Sequence, residues 1–214
     1  MLLERIICVL IGYVFGLFQT GYIYGRMNRI DIREHGSGNS GTTNALRTLG
    51  WKAGVITFVG DCLKCIAAIG LTWLLFGKGQ EIAPLLAIYT GAGAVLGHNY
   101  PAFLKFKGGK GIATTGGLVL ALNPILFVIL FAIFVLAVLV TKYVSLGSML
   151  VSVLFFVGTI VLGQNGAFGM TTVHLYEMYA VAAFLMILAL IRHRQNILRL
   201  CKGTENKFGK TKEN

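Results

Sequence analysis

The chain has 214 residues, 56% hydrophobic and 13% charged, where a soluble globular chain carries roughly a quarter charged. A soluble fold is excluded at this length, because the fraction of surface buried on folding rises too slowly with size to hide such an apolar excess. The formal charge of +11 sits in short runs between apolar stretches, as in loops on the positive side of a membrane, and not on the soluble basic face of a nucleic-acid-binding protein.

A bilayer crossing needs about 20 apolar residues, and residues 2–24 form the first such run. Glu4 and Arg5 stand at its start and no small-residue cleavage pattern follows, so it reads as a retained span and not a removable signal. A polar stretch over 26–52 comes next, then a second run over 53–76 that contains Asp61 and Lys64. Counted from Ala53 at the helical rise, Lys64 lies about 16 Å deep. Ionisable groups at that depth are costly and face a partner or the bundle interior, so a mutual Asp61–Lys64 ion pair and a substrate role both stand open. The third run is 82–100. A basic loop with Lys105, Lys107 and Lys110 then leads into an apolar tract of 29 residues, 112–140, too many for one untilted crossing. Asn123-Pro124 divides them, since proline removes a helix donor and its predecessor avoids helix; the resulting spans are 112–122 and 125–140. After Lys142 come a span over 146–162, a polar Gly-rich stretch over 163–174, a last span over 176–191 and a basic tail from Arg192.

The pattern predicts one all-α domain, 1–214: a polytopic integral membrane protein with seven transmembrane helices, N-terminus outside and C-terminus cytoplasmic. In that orientation sixteen of the 19 Lys and Arg residues fall inside, and only Arg5 and Lys78 outside, which is the bias of the positive-inside rule. Treating 112–140 as a single crossing would scatter the basic loops over both faces. Cys8, Cys62, Cys65 and Cys201 lack zinc-ligand spacing and read as small core residues.

Three inner segments, about 26–52, 101–114 and 192–207, carry more chemistry than topology requires. In the first, His35-Gly-Ser-Gly-Asn-Ser-Gly-Thr-Thr-Asn44 precedes Arg47. Glycines at 36, 38 and 41 permit positive φ and close backbone approach, and successive free N–H groups there make an anion-binding nest. Ser37, Asn39, Ser40, Thr42, Thr43 and Asn44 add neutral donors, and Arg47 adds a planar fork suited to phosphate. In the second, Lys105-Phe-Lys-Gly-Gly-Lys-Gly-Ile-Ala-Thr114 gathers bare amides, a helix N-terminus and up to three ammonium groups. It is not a Walker loop, because Gly111 stands where that motif needs Ser or Thr after Lys110. In the third, His193, Asn196 and Arg199 share a helix face, and Arg192 is within reach of Asn196. Tyr143-Val-Ser145-Leu-Gly-Ser148 offers two hydroxyls on the same side.

Together with Gly60-Asp61-Cys-Leu-Lys64, Gly97-His98 and Gly203-Thr-Glu205, these segments resemble the acyl-phosphate:glycerol-3-phosphate acyltransferase family (PlsY) in order and spacing over almost the whole chain. Two departures stand out: Thr42 replaces the usual Ala, and Cys65 replaces a common Gly. Neither removes a phosphate-facing donor. The resemblance implies a multi-pass enzyme of the bacterial inner (plasma) membrane, with seven helices and an active site facing the cytoplasm. Its reaction would move a fatty acyl group from acyl phosphate to the 1-hydroxyl of sn-glycerol 3-phosphate, giving lysophosphatidic acid and phosphate in phospholipid biosynthesis. By the same resemblance, Ser37, Gly38, Asn39, Thr43, Gly108, Gly109, Lys110 and Ser145 (ahead of Ser148) hold the donor's phosphate. Arg47, Lys110, His193 and Asn196 place glycerol 3-phosphate and form the catalytic set. The implied partners are the two substrates and membrane lipid, with no nucleic acid, no cofactor and no metal, the protein acting as a monomer.

Phosphate is a good leaving group, so positioning supplies much of such a rate, with Lys110 and nearby amides stabilising the charge that develops. No general base stands out. The His-x-x-x-x-Asp pair of thioester-using glycerolipid acyltransferases is absent, because Ser40, Phe103, Tyr179 and Leu198 follow the four histidines at that distance. A substrate phosphate is therefore expected to take the hydroxyl proton. The rival reading is a membrane transporter for small phosphorylated anions. It calls for inverted repeats and polar residues midway through several spans, and only Asp61 and Lys64 supply the latter.

Overall fold

The computed structural model describes residues 2–209, so Lys210 and Lys212 of the basic tail lie outside the described residues. Among the described residues every regular element is helical. The order is α1 (Leu2–Gly16), α2 (Thr20–Met27), a 3-10 turn (Ile32–Glu34), α3 (Thr42–Leu49), α4 (Trp51–Phe76), α5 (Ala83–Asn99) and a second 3-10 turn (Ala102–Leu104). It continues with α6 (Ile112–Leu122), α7 (Pro124–Thr141), α8 (Val144–Gln164), α9 (Thr172–Arg192) and α10 (Arg194–Cys201). Among the described residues five segments are long and apolar enough to cross a membrane: Leu2–Met27, which joins α1 and α2, and α4, α7, α8 and α9.

The bundle is built around α5. Fourteen of its 17 residues are buried, and it packs against α1, α4, α6 and α9, so it is apolar on every side. Lipid tails are as apolar as leucine and do not drive helices together; close packing of small residues does. Gly12 and Gly16 of α1 face Gly93 and Gly97 of α5, four residues apart in each case. A Cβ on any of them would strike a backbone carbonyl of the other helix. By contrast α7 is peripheral, with only Leu130 and Val138 buried.

Helix ends follow local signals in most places. Asn123 caps α7, its Oδ1 accepting the Leu126 N–H at 2.8 Å with Pro124 in the first turn, as proline and asparagine favour. Lys142, at φ 63°, turns the chain back into α8. The first apolar run behaves differently from the continuous span expected over 2–24: the helix breaks at Leu17–Gln19. A cation from another helix holds the break. The Lys64 ammonium reaches over from α4 and donates to the Phe18 carbonyl at 2.6 Å, while the Gln19 amide donates to the Gly16 carbonyl at 3.2 Å. Both satisfy carbonyls that the break exposes. Cys8, Cys62 and Cys65 are buried free thiols, but Cys201 is exposed, a correction to its reading as a core residue. It ends α10, a short helix that buries only Asn196.

Candidate active site

The N-terminus of α3, the α5–α6 loop, the start of α8 and the α9–α10 corner surround one cavity of about 570 Å³. Its polar end is lined by side chains of the three loops. Its flank is aromatic and aliphatic, with Phe58, Phe127, Phe131, Phe134, Val138 and Phe155.

The first loop is shaped from within. Asp31 caps the first 3-10 turn by accepting the Arg33 N–H at 3.0 Å and pairs with the Arg33 guanidinium at 2.7 Å; that hydrogen-bonded pairing holds the Asp31 carboxyl below its usual range. Gly36 and Gly38 take φ of 61° and 70°. Asn44, buried in the first turn of α3, accepts the Ser37 N–H at 2.8 Å and donates to the carbonyls of Ile32 and His35 at 2.7 and 3.0 Å. Asn39 accepts the Gly41 N–H at 3.0 Å. Ser37, Asn39, Thr42 and Thr43 are thereby held along the cavity wall, at a helix start that no side chain caps. Arg47, one turn on, lines the same wall.

The second loop presents a single cation. The N–H groups of Gly108 and Gly109 donate inward, to the carbonyls of Asn99 and His98 at 3.2 and 3.0 Å. The Arg192 guanidinium grips their carbonyls from the other side, at 3.1 Å on Gly108 and 2.8 Å on Gly109, and lies over the Tyr100 ring. Both glycines are buried and neither lines the cavity. They frame the site from behind, their amides already engaged, and Arg192 serves them instead of meeting Asn196. Lys105 and Lys107 are exposed. Lys110 turns inward, and its ammonium donates to Asn196 Oδ1 at 2.5 Å. Burial above all pushes Lys110 down to about 8; the Glu205 carboxylate opposes this, and Arg199, Arg192 and Arg47 add to it.

The third segment places His193 at the α9–α10 corner. Its Nδ1 lies 2.8 Å from the Ala189 carbonyl, which only accepts, so Nδ1 carries the proton and Nε2 is left as an acceptor. Burial first, then the Lys110 ammonium, push the ring down to about 4, so it is neutral at pH 7. Asn196 hands on the chain from Lys110: its Nδ2 donates to Glu205 Oε1 at 2.7 Å. Ser145 Oγ donates to the same oxygen at 3.0 Å, and Arg199 Nε donates to Oε2 at 2.7 Å. Ser148, also on the wall, spends its hydroxyl on the Val144 carbonyl.

Ser37, Asn39, Thr43, Arg47, Lys110, Ser145, His193 and Asn196 therefore meet on one cavity, whereas Gly38, Gly108 and Gly109 stand outside its lining. Arg199, which shares the His193–Asn196 face, and Glu205, of Gly203-Thr-Glu205, complete the polar end, although neither carries a substrate role in the sequence reading. The available signal for Glu205 was its isolation: it is the one carboxylate between Arg192 and Gly209. Asp61 and Lys64 do form an ion pair, at 2.8 Å, with Thr20 Oγ1 also donating to Asp61 at 3.1 Å.

Fold and site define a helical membrane protein with a pocket whose polar end carries Arg47, Lys110 and Arg199 and runs into an apolar groove. The chain belongs to the glycerol-3-phosphate acyltransferase family, whose model matches residues 6–203. A relative of that name from Clostridioides difficile (strain 630) is 43% identical over 212 residues, covering 97% of both chains. Another, from Bacillus subtilis (strain 168), is 42% identical over 200 residues, covering 93% of this chain and 95% of the relative. Two crystal forms of PlsY, an integral membrane glycerol 3-phosphate acyltransferase, are similar in fold. The glycerol 3-phosphate form has a TM-score of 0.83 at 34% identity over 96% of each chain. The lysophosphatidic acid form has a TM-score of 0.81 at 33% identity, covering 96% of this chain and 95% of the other.

Proposed function

We propose that this protein transfers a fatty acyl group from acyl phosphate to the 1-hydroxyl of sn-glycerol 3-phosphate, releasing lysophosphatidic acid and phosphate. The observation that carries the reading is the cavity itself: Arg47, Lys110, His193, Asn196, Ser37, Thr43 and Ser145 at one end, and a wall of Phe and Val at the other. Two phosphoryl groups and one acyl chain are what such a shape accommodates. Membership of an acyltransferase family, and relatives in glycerol 3-phosphate and lysophosphatidic acid forms, support the acceptor and the product.

In this reading the loop from Ser37 through Gly38 and Asn39 to Thr43 holds the donor's phosphate with Ser145 and Lys110. Gly108 and Gly109 contribute by holding Lys110 in place. Arg47, Lys110, His193 and Asn196 hold glycerol 3-phosphate, with His193 Nε2 free to accept from its 2-hydroxyl. The hydroxyl oxygen attacks the acyl carbon, the bond from that carbon to the phosphate oxygen breaks, and the hydroxyl proton passes to the departing phosphate, which leaves as hydrogen phosphate. No side chain is better suited to take it. A ring pushed down to about 4 is a weak base at pH 7, and Glu205 already accepts from three donors. Lys110 offsets the charge that builds on the carbonyl and phosphate oxygens.

The topology that accompanies this reading has seven crossings, with α5 and α6 counted among them, the N-terminus outside and the polar end facing the cytoplasm in a bacterial inner membrane, the protein acting as a monomer. The distribution of Lys and Arg supports it. Purified protein in detergent, given palmitoyl phosphate and glycerol 3-phosphate, should release phosphate with no membrane barrier, which a transporter of phosphorylated anions would not do. Lys110→Ala should lower kcat more deeply than His193→Ala. The reverse order, with binding intact, would refute proton transfer to the phosphate.

A further inference from the structure

The break between α1 and α2 holds a polar cluster that the reaction above leaves unused. Gln19 is completely buried there. Its amide nitrogen donates to the carbonyls of Gly16 and His98 at 3.2 and 3.0 Å, and its amide oxygen accepts the Ser40 hydroxyl at 2.9 Å. These partners belong to different segments: His98 lines the cavity, and Ser40 stands between Asn39 and Gly41, which line it. Ser40 lies in the first loop, between Ser37 and Thr43. The His98 carbonyl also accepts the N–H of Gly109, the residue before Lys110. A single side chain thus joins the two loops that bring donors and a cation to the same cavity.

Gln19 is itself held firmly. The Lys64 ammonium donates to the Phe18 carbonyl beside it, to Asp61 Oδ1 and to His98 Nδ1, at 2.6, 2.8 and 2.8 Å. With Nδ1 accepting from an ammonium, the His98 proton sits on Nε2. That edge of the ring fills the space a side chain on Gly109 would need. The cluster therefore fixes both the backbone of the second loop and its distance from the first.

We propose that Gln19 is a positioning residue of this enzyme, setting the spacing between the Ser37–Thr43 loop and Lys110 so that both substrates' phosphates are gripped at once. The proposal rests on the reading that these two loops bind phosphate. Gln19→Leu removes all three hydrogen bonds at similar volume, and Ser40→Ala removes only the link to the first loop. Lost registry weakens ground-state grip on both substrates, so Gln19→Leu should raise both KM values about five- to tenfold, the scale of one net hydrogen bond. Ser40→Ala should raise them too. The double variant should match Gln19→Leu within about twofold, because both changes cut one link.

A role in stability alone leaves a different trace: a smaller folded fraction lowers apparent kcat and leaves KM unmoved. Unmoved KM values in Gln19→Leu, or a double variant equal to the product of the singles, would overturn the proposal. If Gln19→Leu does not fold in detergent, Ser40→Ala decides, and KM values equal to those of the wild type refute it. The wild type in the same assay separates the two ideas. A wild type that releases no phosphate refutes the underlying reading, whereas an active wild type with unmoved variant KM values refutes only the role of Gln19.

Discussion

In the proposed reaction Lys110 is charged when it works, yet burial brings its titration down to about 8, within the range of an ordinary assay. Its competitors for that range are absent from the polar end. His193, pushed down to about 4, is neutral at pH 7, and phosphate esters, with a second pKa near 6, are about nine-tenths dianionic there. The pH dependence of kcat/KM, which reports the free enzyme, should then follow Lys110 alone. One unit above such a midpoint about a tenth of the molecules keep the proton, so kcat/KM should fall roughly tenfold between pH 7 and 9. A bound phosphate dianion favours the ammonium, so the fall in kcat should come at higher pH. Lys110→Arg, which stays charged throughout, should give a lower but flat profile. Stability should run the opposite way. Between about 8 and the ordinary lysine value the unfolded chain binds the proton more tightly than the folded one, so stability rises with pH as the buried charge is removed. Phosphate release in detergent and thermal unfolding, measured over one pH series, test both slopes. A flat kcat/KM from pH 7 to 9 in the wild type, or an equal fall in Lys110→Arg, would refute this assignment.

Two further variants probe the supports of the site. Gly109→Ala sets a methyl group against the His98 ring while the Arg192 clamp prevents the turn from withdrawing; overpacking of this kind costs about 1–3 kcal/mol, and loss of turnover should exceed the loss of melting temperature in relative terms. Asp61→Asn leaves the Lys64 ammonium buried beside a neutral partner, a change worth about 3–5 kcal/mol, which should appear as a clear drop in detergent melting temperature. Adding Lys64→Met should recover part of it, and failure of the pair to recover anything would count against an electrostatic origin.

What could be read along the chain is what local sequence controls. Asn123-Pro124 divides its apolar tract because a cap and a missing donor act on adjacent residues. The glycines around Ser37 and the Lys105–Lys110 run mark turns for the same reason, and polar segments scattered from residue 35 to residue 196 do meet on one cavity. The departures come from partners distant in sequence. The helix break at Phe18 is held by Lys64 from another span. Gly108 and Gly109 look like bare amides until packing commits them to His98 and Asn99. Glu205 stands in a motif that gives it no role of its own, and only the fold brings Ser145, Asn196 and Arg199 to it. α3 was hidden inside a stretch whose polar composition suggests loop throughout, because its start is a glycine with no capping side chain.

The thinness of one wall has a consequence for traffic. On one side of α7, Phe127, Phe131, Phe134 and Val138 look into the cavity; on the other, Ile125, Val128, Ile129, Leu136 and Val140 are uncovered by protein. Hydrocarbon and cavity are a single helix apart, so in the proposed reaction a fatty tail has only α7 to pass while its headgroup stays at the aqueous rim. Lifting that tail into water would cost about 0.8 kcal/mol for every methylene, and passage beside α7 would avoid that cost in both directions. Substrate capture and product delivery then become movements within one leaflet.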